Sequence, residues 1–279
     1  MKKLFSGVCT ALVTPFKHGK VDFDTLAKLI ERQIVNGIDA LCILGTTGEA
    51  PTLSFDEKCD IIKFTNAVIN ERVPIIYGIG GNNPTEIIKL GKFVAETCEE
   101  CSNVGVLVSA PYYNKCTQYG AVLYFRKIAN IVKLPLIIYN VPARTGVNLT
   151  SETIERISRN KYIAGIKEAS GNMEQIAEVV RTAHTAVYSG DDTMSLPCYA
   201  VGCSGIISVA SNAKPHDVRK VWRLRDKPSA ARKMYLQQLP FYKSLFTQVN
   251  PIPIKCVLAD MGLIINELRL PLTADSNSI

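Results

Sequence analysis

This sequence has no long apolar run, few histidines and no second closely spaced cysteine pair. No apolar stretch approaches the roughly 20 residues that a membrane-spanning helix needs, so no such helix is predicted. The three histidines, His18, His184 and His216, lie away from the predicted strand ends, and none is an obvious catalytic base. Cys98 and Cys101 form a C-x-x-C pair, but no second pair or histidine cluster completes a zinc site.

Signatures of nucleic-acid binding are also missing. The net charge is +7, and the one dense basic stretch, at 214–233, repeats its charges with helical spacing. Without a zinc finger, a helix-turn-helix pattern or an aromatic RNA motif, this stretch indicates a solvated helix face. We expect no nucleic-acid partner, and the basic charge would at most steer an acidic small substrate.

The cysteines and the N-terminus indicate the compartment. Nine scattered cysteines, an odd number, are typical of free thiols in a reducing environment. The opening "MKKLFSGVCTALV" superficially resembles a signal peptide, but Ser6, Gly7 and Thr10 break its apolar run and no A-x-A pattern follows. We therefore expect a first strand there, a cytoplasmic protein and no membrane association.

What the 279 residues do contain is a regular alternation of apolar runs and amphipathic segments. Strands are predicted at 7–13, 40–44, 74–79, 104–110, 134–140, 163–167, 186–190 and 205–210. Helices are predicted between them at 24–36, 56–70, 84–98, 118–132, 151–158, 173–183 and 192–201. Ser54 with Glu57, and Thr150 with Thr153, are capping signals for two of these helices.

Eight strands that alternate with helices predict an α/β fold, a (β/α)₈ TIM barrel. An open doubly wound sheet is disfavoured because "GIGGNN" at 78–83 lacks the G-x-G-x-x-G spacing of a phosphate loop. From about 214 onward only helical patterns remain, with Pro251 and Pro253 marking a break between helices. The predicted organisation is a barrel at 1–213 and a C-terminal helical extension at 214–279 packed on it.

One lysine stands where lysine is uncommon. Ile163–Ile166 form a short buried strand, and Lys167 ends it. Barrel active sites gather at the C-terminal ends of strands, and the other ends carry "GTTGE" (45–49), "SAPYYN" (109–114) and "YNVPARTG" (139–146). Taken singly, each has a structural explanation: a tight turn, a core tyrosine, a surface arginine, an emerging lysine. Their convergence on one rim favours an active site.

The residue types on this rim predict aldolase chemistry. Burial disfavours the charged form of an amine, so Lys167 is a candidate nucleophile that forms a Schiff base with a carbonyl substrate. The protonated imine withdraws electrons, so an adjacent carbon can lose a proton. Tyr139 is the best candidate for that proton transfer, since no histidine is near. Arg144 offers a planar fork suited to a carboxylate.

Six motifs together resemble one family. "GTTGE", "PYYNK", "YNVPARTG", "GIKEASGN", "SGDD" and "GIISVASN" are similar to those of the dihydrodipicolinate synthases, within the pyruvate-dependent class I aldolase superfamily, and the resemblance covers nearly the whole chain. It implies condensation of pyruvate with L-aspartate 4-semialdehyde, the first committed step of diaminopimelate and lysine biosynthesis. It implies neither a metal nor an organic cofactor.

The resemblance also implies residue roles. Lys167 forms the Schiff base with pyruvate, and Tyr139 transfers protons through Thr46 to Tyr113, which comes from a neighbouring subunit. Thr47 and the backbone of Ile207 hold the pyruvate carboxylate, and Arg144 holds that of the second substrate. The implied assembly is a homotetramer, a dimer of dimers. Cys116 and Tyr119 depart from the family pattern in the loop after Tyr113, which affects the rigidity of that loop more than the chemistry.

A lysine effector site is implied at the dimer interface. Asn82, Glu86 and Tyr112 match the positions that contact lysine in sensitive members of the family. The segment after "GTTGE" departs from those members at Ala50, Pro51, Phe55 and Lys58. Ala50 and Pro51 remove hydrogen-bond donors, and Lys58 adds a like charge. We expect weak or absent inhibition by L-lysine.

Two alternatives stay open at this point. A sugar-acid aldolase or N-acetylneuraminate lyase shares "GTTGE" and the lysine strand, although the "NVPxRTG" arginine is typical of the synthase branch. A catalytically silent barrel that acts as a binding protein would be expected to have lost Lys167, Tyr139 or Thr46, and all three are present.

Overall fold

A computed structural model describes residues 3–274. Eight parallel strands close into a barrel in the order β1-β10-β9-β8-β7-β6-β5-β4, and two short strands form a separate hairpin. The strands are β1 Gly7–Ala11, β2 Phe16–Lys17, β3 Lys20–Val21, β4 Ala40–Ile43, β5 Ile75–Gly78, β6 Val104–Ser109, β7 Leu136–Asn140, β8 Ile163–Glu168, β9 Ala186–Ser189 and β10 Gly205–Ser208. The predicted TIM barrel is confirmed, and all eight predicted strands are present.

Helices cover the outside of the barrel. They are α1 Phe23–Val35, α2 Phe55–Ile69, α3 Pro84–Thr97, α4 Gln118–Val132, α5 Pro142–Thr145, α6 Ser151–Ser158, α7 Met173–Thr182, α8 Ser195–Ala200, α9 Pro215–Arg223, α10 Pro228–Ser244 and α11 Ile252–Asp260. The elements after residue 213 are the helices α9, α10 and α11, as expected, whereas residues 261–274 form no helix. Residues 275–279 of the predicted extension lie outside the described residues. No helix within residues 3–274 is long and apolar enough to cross a membrane.

Local chemistry sets where several helices begin. Ser54 and Glu57 form a reciprocal capping box at the start of α2, and the Thr150 hydroxyl accepts a hydrogen bond from Thr153 N at the start of α6. Both predicted caps are confirmed. The caps satisfy backbone N–H groups that would otherwise lack partners at the helix N-terminus.

Four details of the sequence-based prediction were wrong or incomplete. The β2–β3 hairpin was missed, although His18 and Gly19 both take positive φ, as a two-residue turn requires. The predicted 192–201 helix divides into a 3₁₀ turn, Asp192–Met194, and α8. Arg144, which lies outside every predicted helix, is on the one-turn helix α5. Pro251 does precede a helix, but Pro253 falls inside the first turn of α11, where a missing N–H costs nothing.

The apolar side chains divide into two layers because strand residues alternate between faces. One layer lies between the strands and the helices. The other fills the barrel interior and comprises Phe5, Cys9, Ala11, Ala40, Cys42, Ile76, Leu107, Ile137, Tyr139, Val141, Tyr188 and Ile207. The Phe5 ring stacks on Tyr188, with centroids 4.2 Å apart, and the Tyr188 hydroxyl donates to Phe5 O at 2.9 Å. The interior is therefore packed below the rim that carries the polar residues.

Candidate active site

Tyr139 and Lys167 are brought together by strand register. In the parallel pairing of β7 with β8, Tyr139 lies beside Lys167, and in the pairing of β8 with β9, Lys167 lies beside Tyr188. The Lys167 Nζ atom is 4.2 Å from the centroid of the Tyr139 ring. The two residues predicted to act on the same substrate atoms are thus in direct contact.

Lys167 is buried without a counter-ion. Lys167 is only 6% exposed, and within residues 3–274 its amine has no hydrogen-bond or ion-pair partner. A second buried lysine, Lys255, differs because its Nζ atom pairs with Glu49 Oε1 at 2.5 Å. An amine held in an apolar barrel mouth without an anion beside it is the arrangement that a Schiff-base nucleophile requires.

The "GTTGE" loop follows β4 and carries two threonines toward the rim. Thr47 is buried, and its Oγ1 accepts a hydrogen bond from Asn250 Nδ2 at 3.0 Å. Thr46 is half-buried and lines the cavity above the barrel. Leu44, just before the loop, takes a positive φ of 58°, which turns the chain sharply at the strand end. The loop therefore presents hydroxyl groups where strand ends converge.

Asn250 was missed by sequence reasoning. Its carbonyl oxygen accepts from Arg144 Nη2 at 3.2 Å, while its side chain donates to Thr47. It lies 106 residues beyond Arg144 and 203 beyond Thr47, in the segment before α11. An Asn-Pro dipeptide by itself indicates only a turn. This asparagine joins the two side chains that are predicted to hold substrate carboxylates.

A cavity of about 620 Å³ opens at this end of the barrel. Thr46, Tyr139 and Arg144 line it, whereas Lys167, Thr47 and Ile207 are not part of its lining. The volume suits one or two small metabolites. Asn82, Glu86 and Tyr112, the candidate effector residues, line the same cavity, as do Ala50, Pro51, Phe55 and Lys58.

Tyr113 is not brought into the site by its own protomer. The residue is 89% exposed, takes a positive φ of 70° and donates its backbone N–H to Thr145 O at 3.1 Å. Tyr112 and Tyr119, on either side of it in sequence, are also exposed. A positive φ at a residue other than glycine costs on the order of 1–3 kcal/mol, and such strained residues cluster at functional sites.

The turn after β10 is fixed by a buried carboxylate. Asp192 Oδ1 accepts from Ser208 Oγ at 2.5 Å, and Oδ2 accepts from Val209 N at 2.9 Å and Ala210 N at 3.1 Å. Burial raises the pKa of Asp192 to about 6, although these hydrogen bonds oppose the shift. The backbone that carries Ile207 to the rim is held from below by this residue.

Two further residues beside Lys167 went unrecognised in the sequence. A Cβ atom on Gly190 would lie 3.2 Å from Lys167 Cε and 2.8 Å from Ala169 Cβ, so only glycine leaves room for the lysine side chain. Glu168 is buried on the opposite face of β8, where Asn140 Nδ2 donates to both its oxygens at 3.1 Å and Ser170 N donates at 2.8 Å. Burial raises the pKa of Glu168.

The remaining polar candidates lie away from the site. His18, His184 and His216 are all exposed. Among residues 3–274, no group of three or more His, Cys, Asp or Glu side chains is placed to hold a metal ion. Cys98 forms the C-terminal cap of α3, and burial raises its pKa to about 12, so this thiol stays protonated.

Curated relatives match this chain almost end to end. A protein named 4-hydroxy-tetrahydrodipicolinate synthase from Alkaliphilus oremlandii is 42% identical over 274 residues, which cover 97% of this chain and 93% of the relative. A protein of the same name from Nitratidesulfovibrio vulgaris is 43% identical, covering 96% of this chain and 92% of the relative.

Solved structures agree in fold. Dihydrodipicolinate synthase from Aquifex aeolicus is 39% identical with a TM-score of 0.93, covering 98% of this chain and 93% of that one. The enzyme from Cyanidioschyzon merolae, crystallised with lysine bound, is 35% identical with a TM-score of 0.92, covering 99% of this chain and 95% of that one. The model of the dihydrodipicolinate synthetase family matches residues 4–279. On these matches and on the site that the barrel assembles, the chain belongs to the dihydrodipicolinate synthetase family.

Proposed function

We propose that this chain is a lyase that condenses pyruvate with L-aspartate 4-semialdehyde through a Schiff base on Lys167, the first committed step of diaminopimelate and lysine biosynthesis in the cytoplasm. The observation that carries the proposal is the buried amine of Lys167, which lies against the Tyr139 ring and has no counter-ion in the part of the chain that the structure describes. Family membership supplies the substrate pair.

The proposed reaction needs no reactant other than the two substrates. The Lys167 amine adds to the pyruvate carbonyl, and water leaves as the imine forms. The imine then draws electrons from the methyl carbon, which loses a proton and becomes the nucleophilic carbon of an enamine. That carbon attacks the aldehyde of the second substrate, whose amine afterwards displaces Lys167 and closes the ring.

Tyr139 is proposed to move the protons in these steps. It is 8% exposed and lines the cavity, so its hydroxyl reaches substrate from a mostly dry position. Thr46, which lines the same cavity, links it to Tyr113 of a neighbouring subunit. The exposure of Tyr113 in the single chain supports this contribution across an interface. We infer a homotetramer built from two tight dimers.

Carboxylate recognition is proposed to divide between two groups. Thr47 and the backbone of Ile207 hold pyruvate close to Lys167, and Arg144 at the cavity rim holds the second substrate. The contact of Arg144 with Asn250 O fixes its guanidinium plane, which suits two parallel hydrogen bonds to a carboxylate.

Borohydride reduction in the presence of pyruvate tests the proposal. The expected product is one pyruvate-derived adduct per chain, which peptide mass analysis locates on Lys167. Lys167→Arg keeps the charge but cannot form the imine, so it should give no adduct. An adduct on another lysine would refute the assignment.

The sugar-acid alternative is separated by substrate choice. A coupled assay that offers pyruvate with aspartate semialdehyde should show turnover, while N-acetylneuraminate should not be cleaved. Arg144 favours the first outcome because its fork matches a small carboxylate at the cavity rim. Cleavage of N-acetylneuraminate at a comparable rate would favour the lyase.

A further inference from the structure

A buried ion pair joins the C-terminal extension to the active-site loop. Lys255 on α11 and Glu49 at the end of "GTTGE" both have fully buried side chains, with Nζ and Oε1 2.5 Å apart. Lys255 Nζ also donates to Glu267 O at 2.7 Å and lies 4.3 Å from the centroid of the Phe16 ring. The ammonium group is therefore held from three sides.

The second Glu49 oxygen extends this contact toward α2. Oε2 accepts from Arg269 N at 3.1 Å, and the Arg269 guanidinium donates to Thr52 O at 3.1 Å and to both carboxylate oxygens of Glu57. We call Glu49, Lys255, Glu267 and Arg269 the C-terminal clamp. Residues of the C-terminal extension contact the last residue of "GTTGE", Glu49, and the chain just after it at Thr52 and Glu57, more than 200 residues earlier in sequence.

The clamp acts on a loop that is otherwise held by short turns, by a hydrogen bond from Thr14 Oγ1 to Gly48 O at 2.7 Å and by the Asn250–Thr47 contact. Glu49 takes a left-handed conformation, with φ at 51° and ψ at 33°, and its N–H donates to Thr46 O at 3.1 Å. Gly48 N donates to Gly45 O at 3.1 Å. A glutamate in this conformation is strained, and the contacts of its side chain offset the cost. The position of Glu49 thus sets the direction of the two threonines before it.

Net stability is a poor explanation for such a pair. Removing two charges from water costs several kcal/mol per ion, so a buried pair often stabilises a protein no more than apolar residues of the same volume. The ion pair instead fixes the local geometry, because two charged groups with fixed partners permit a single arrangement of the chain segments that carry them. Glu49 of the clamp follows Thr46 and Thr47 closely in the chain. A small displacement of Glu49 would therefore move the two threonines that are proposed to contact the substrate.

We propose that the C-terminal clamp is a positioning device for the α-keto-acid carboxylate: it fixes Thr46 and Thr47 at the barrel rim. This inference rests on the proposed function. It makes the helical extension a part of the active site rather than an outer layer, because loss of the clamp would loosen pyruvate binding while the barrel stays folded.

The test removes both charges at once. Glu49→Gln with Lys255→Met keeps an acceptor for Arg269 N and leaves no unpaired buried ion. We expect the KM for pyruvate to rise about tenfold, less than the roughly 10²-fold that a 1 Å misplacement can cost. The KM for aspartate semialdehyde, which Arg144 governs, should change much less. Amide exchange at residues 45–53 should also become faster.

A matched control uses an ion pair at the other end of the barrel. Arg219 of α9 pairs with Asp39 at 3.1 Å, and Asp39 accepts from Val8 N at 2.9 Å, at the N-terminal ends of the strands. Asp39→Asn with Arg219→Met also detaches a contact of the extension. It should lower the melting temperature and leave both KM values at the wild-type level.

Two results would overturn the proposal. A folded clamp variant with wild-type pyruvate KM and wild-type exchange at 45–53 overturns it, and so does an equal rise of the pyruvate KM in the control. If the double variant does not fold, Arg269→Met takes its place. It removes the contacts to Thr52 O and Glu57 but keeps the Lys255–Glu49 pair, so the pyruvate KM and the exchange should rise in the same direction by less. Borohydride trapping on the wild-type enzyme is done first. If no adduct forms, the proposed function is refuted, and amide exchange at residues 45–53 alone tests whether the clamp fixes the "GTTGE" loop.

Discussion

A single substitution at Tyr139 separates the role of its hydroxyl from that of its ring. Tyr139→Phe keeps the ring against Lys167 Nζ but removes the group proposed to move protons, so turnover should fall by roughly 10²–10⁴-fold, the usual cost of losing an acid–base group. Steady-state kinetics on the folded variant measure this. Tyr77→Phe is the control, because the Tyr77 hydroxyl bonds to Thr65 and Ile62 O in the helical layer. A Tyr139→Phe enzyme as fast as the control would remove Tyr139 from the mechanism.

Glu57 carries a testable pH dependence at the same scale. Hydrogen bonds from the Arg269 guanidinium lower the pKa of Glu57 from 4.5 to about 2. A carboxylate with a lowered pKa in the folded state stabilises that state above its unfolded pKa and loses this effect as the pH falls. Glu57→Gln keeps the capping box, since glutamine also serves at this position. Melting temperatures of the wild type and this variant should therefore differ at pH 7 and converge between about pH 4.5 and 2.

The same titration has an internal control and a clear contrary result. Glu100 is exposed and has no ion pair among residues 3–274, so Glu100→Gln should track the wild type at every pH. A gap between Glu57→Gln and the wild type that stays constant down to pH 2 would mean that the Arg269 contact does not set it.

At the scale of elements, β5 and the loop after β4 approach too closely for any side chain. A Cβ on Gly78 would lie 2.7 Å from the Leu44 carbonyl carbon and closer still to its oxygen, and both are backbone atoms. Gly78→Ala should therefore displace the "GTTGE" loop or unfold the barrel, with a large fall in melting temperature and in activity. Gly81→Ala, whose Cβ would meet Ile87 at an ordinary 3.5 Å, should change little. Equal melting temperatures for the two variants would contradict this reading of the packing.

The segment from the end of β4 into α2 also decides the expected response to L-lysine. Lys58 lines the same cavity as Asn82 and Glu86, burial lowers its pKa, and it forms no salt bridge among residues 3–274. Asn82 already bonds to the backbone of Tyr112 in both directions at 2.8 Å. We expect weak or absent inhibition when lysine is titrated into the coupled assay, and stronger inhibition of Lys58→Met. Strong inhibition of the wild type below millimolar lysine would show that Asn82, Glu86 and Tyr112 suffice.

For the whole molecule, the proposed contribution of Tyr113 across an interface can be tested by mixing inactive chains. In a hybrid dimer of Lys167→Arg and Tyr113→Phe, one site contains Lys167 from one chain and Tyr113 from the other. With random mixing, half the dimers are hybrids with one intact site of two, so about a quarter of full activity should return.

A second mixture is the control for this result. Lys167→Arg and Tyr139→Phe place both defects in groups of the same protomer's site, so their hybrids should stay inactive. Recovery in the first mixture and none in the second supports a shared site. No recovery in either would mean that Tyr113 serves the site of its own chain, and a Tyr113→Phe enzyme that is fully active before mixing would mean that it serves no site.

Much of the architecture followed from the sequence because local patterns determine it. Alternating apolar runs predicted all eight barrel strands, and their ends differ from the observed ones by at most a few residues. The rim residues Thr46, Tyr139, Arg144 and Lys167 were found because parallel strands in a closed barrel place all their C-terminal ends on one side. The β2–β3 hairpin escaped because strands of two residues carry no periodicity.

What only the tertiary structure decided is which distant residues support those on the rim. Asn250 between Thr47 and Arg144, Lys255 under Glu49, and Gly190 beside Lys167 lie on separate elements, and nothing in their local sequence indicates a partner. Local propensity and hydrophobic period act over a few residues, so they fix strands, helices and the face that each presents. The pairing of a buried charge or the clearance for a side chain depends on atoms that meet only when the barrel has closed.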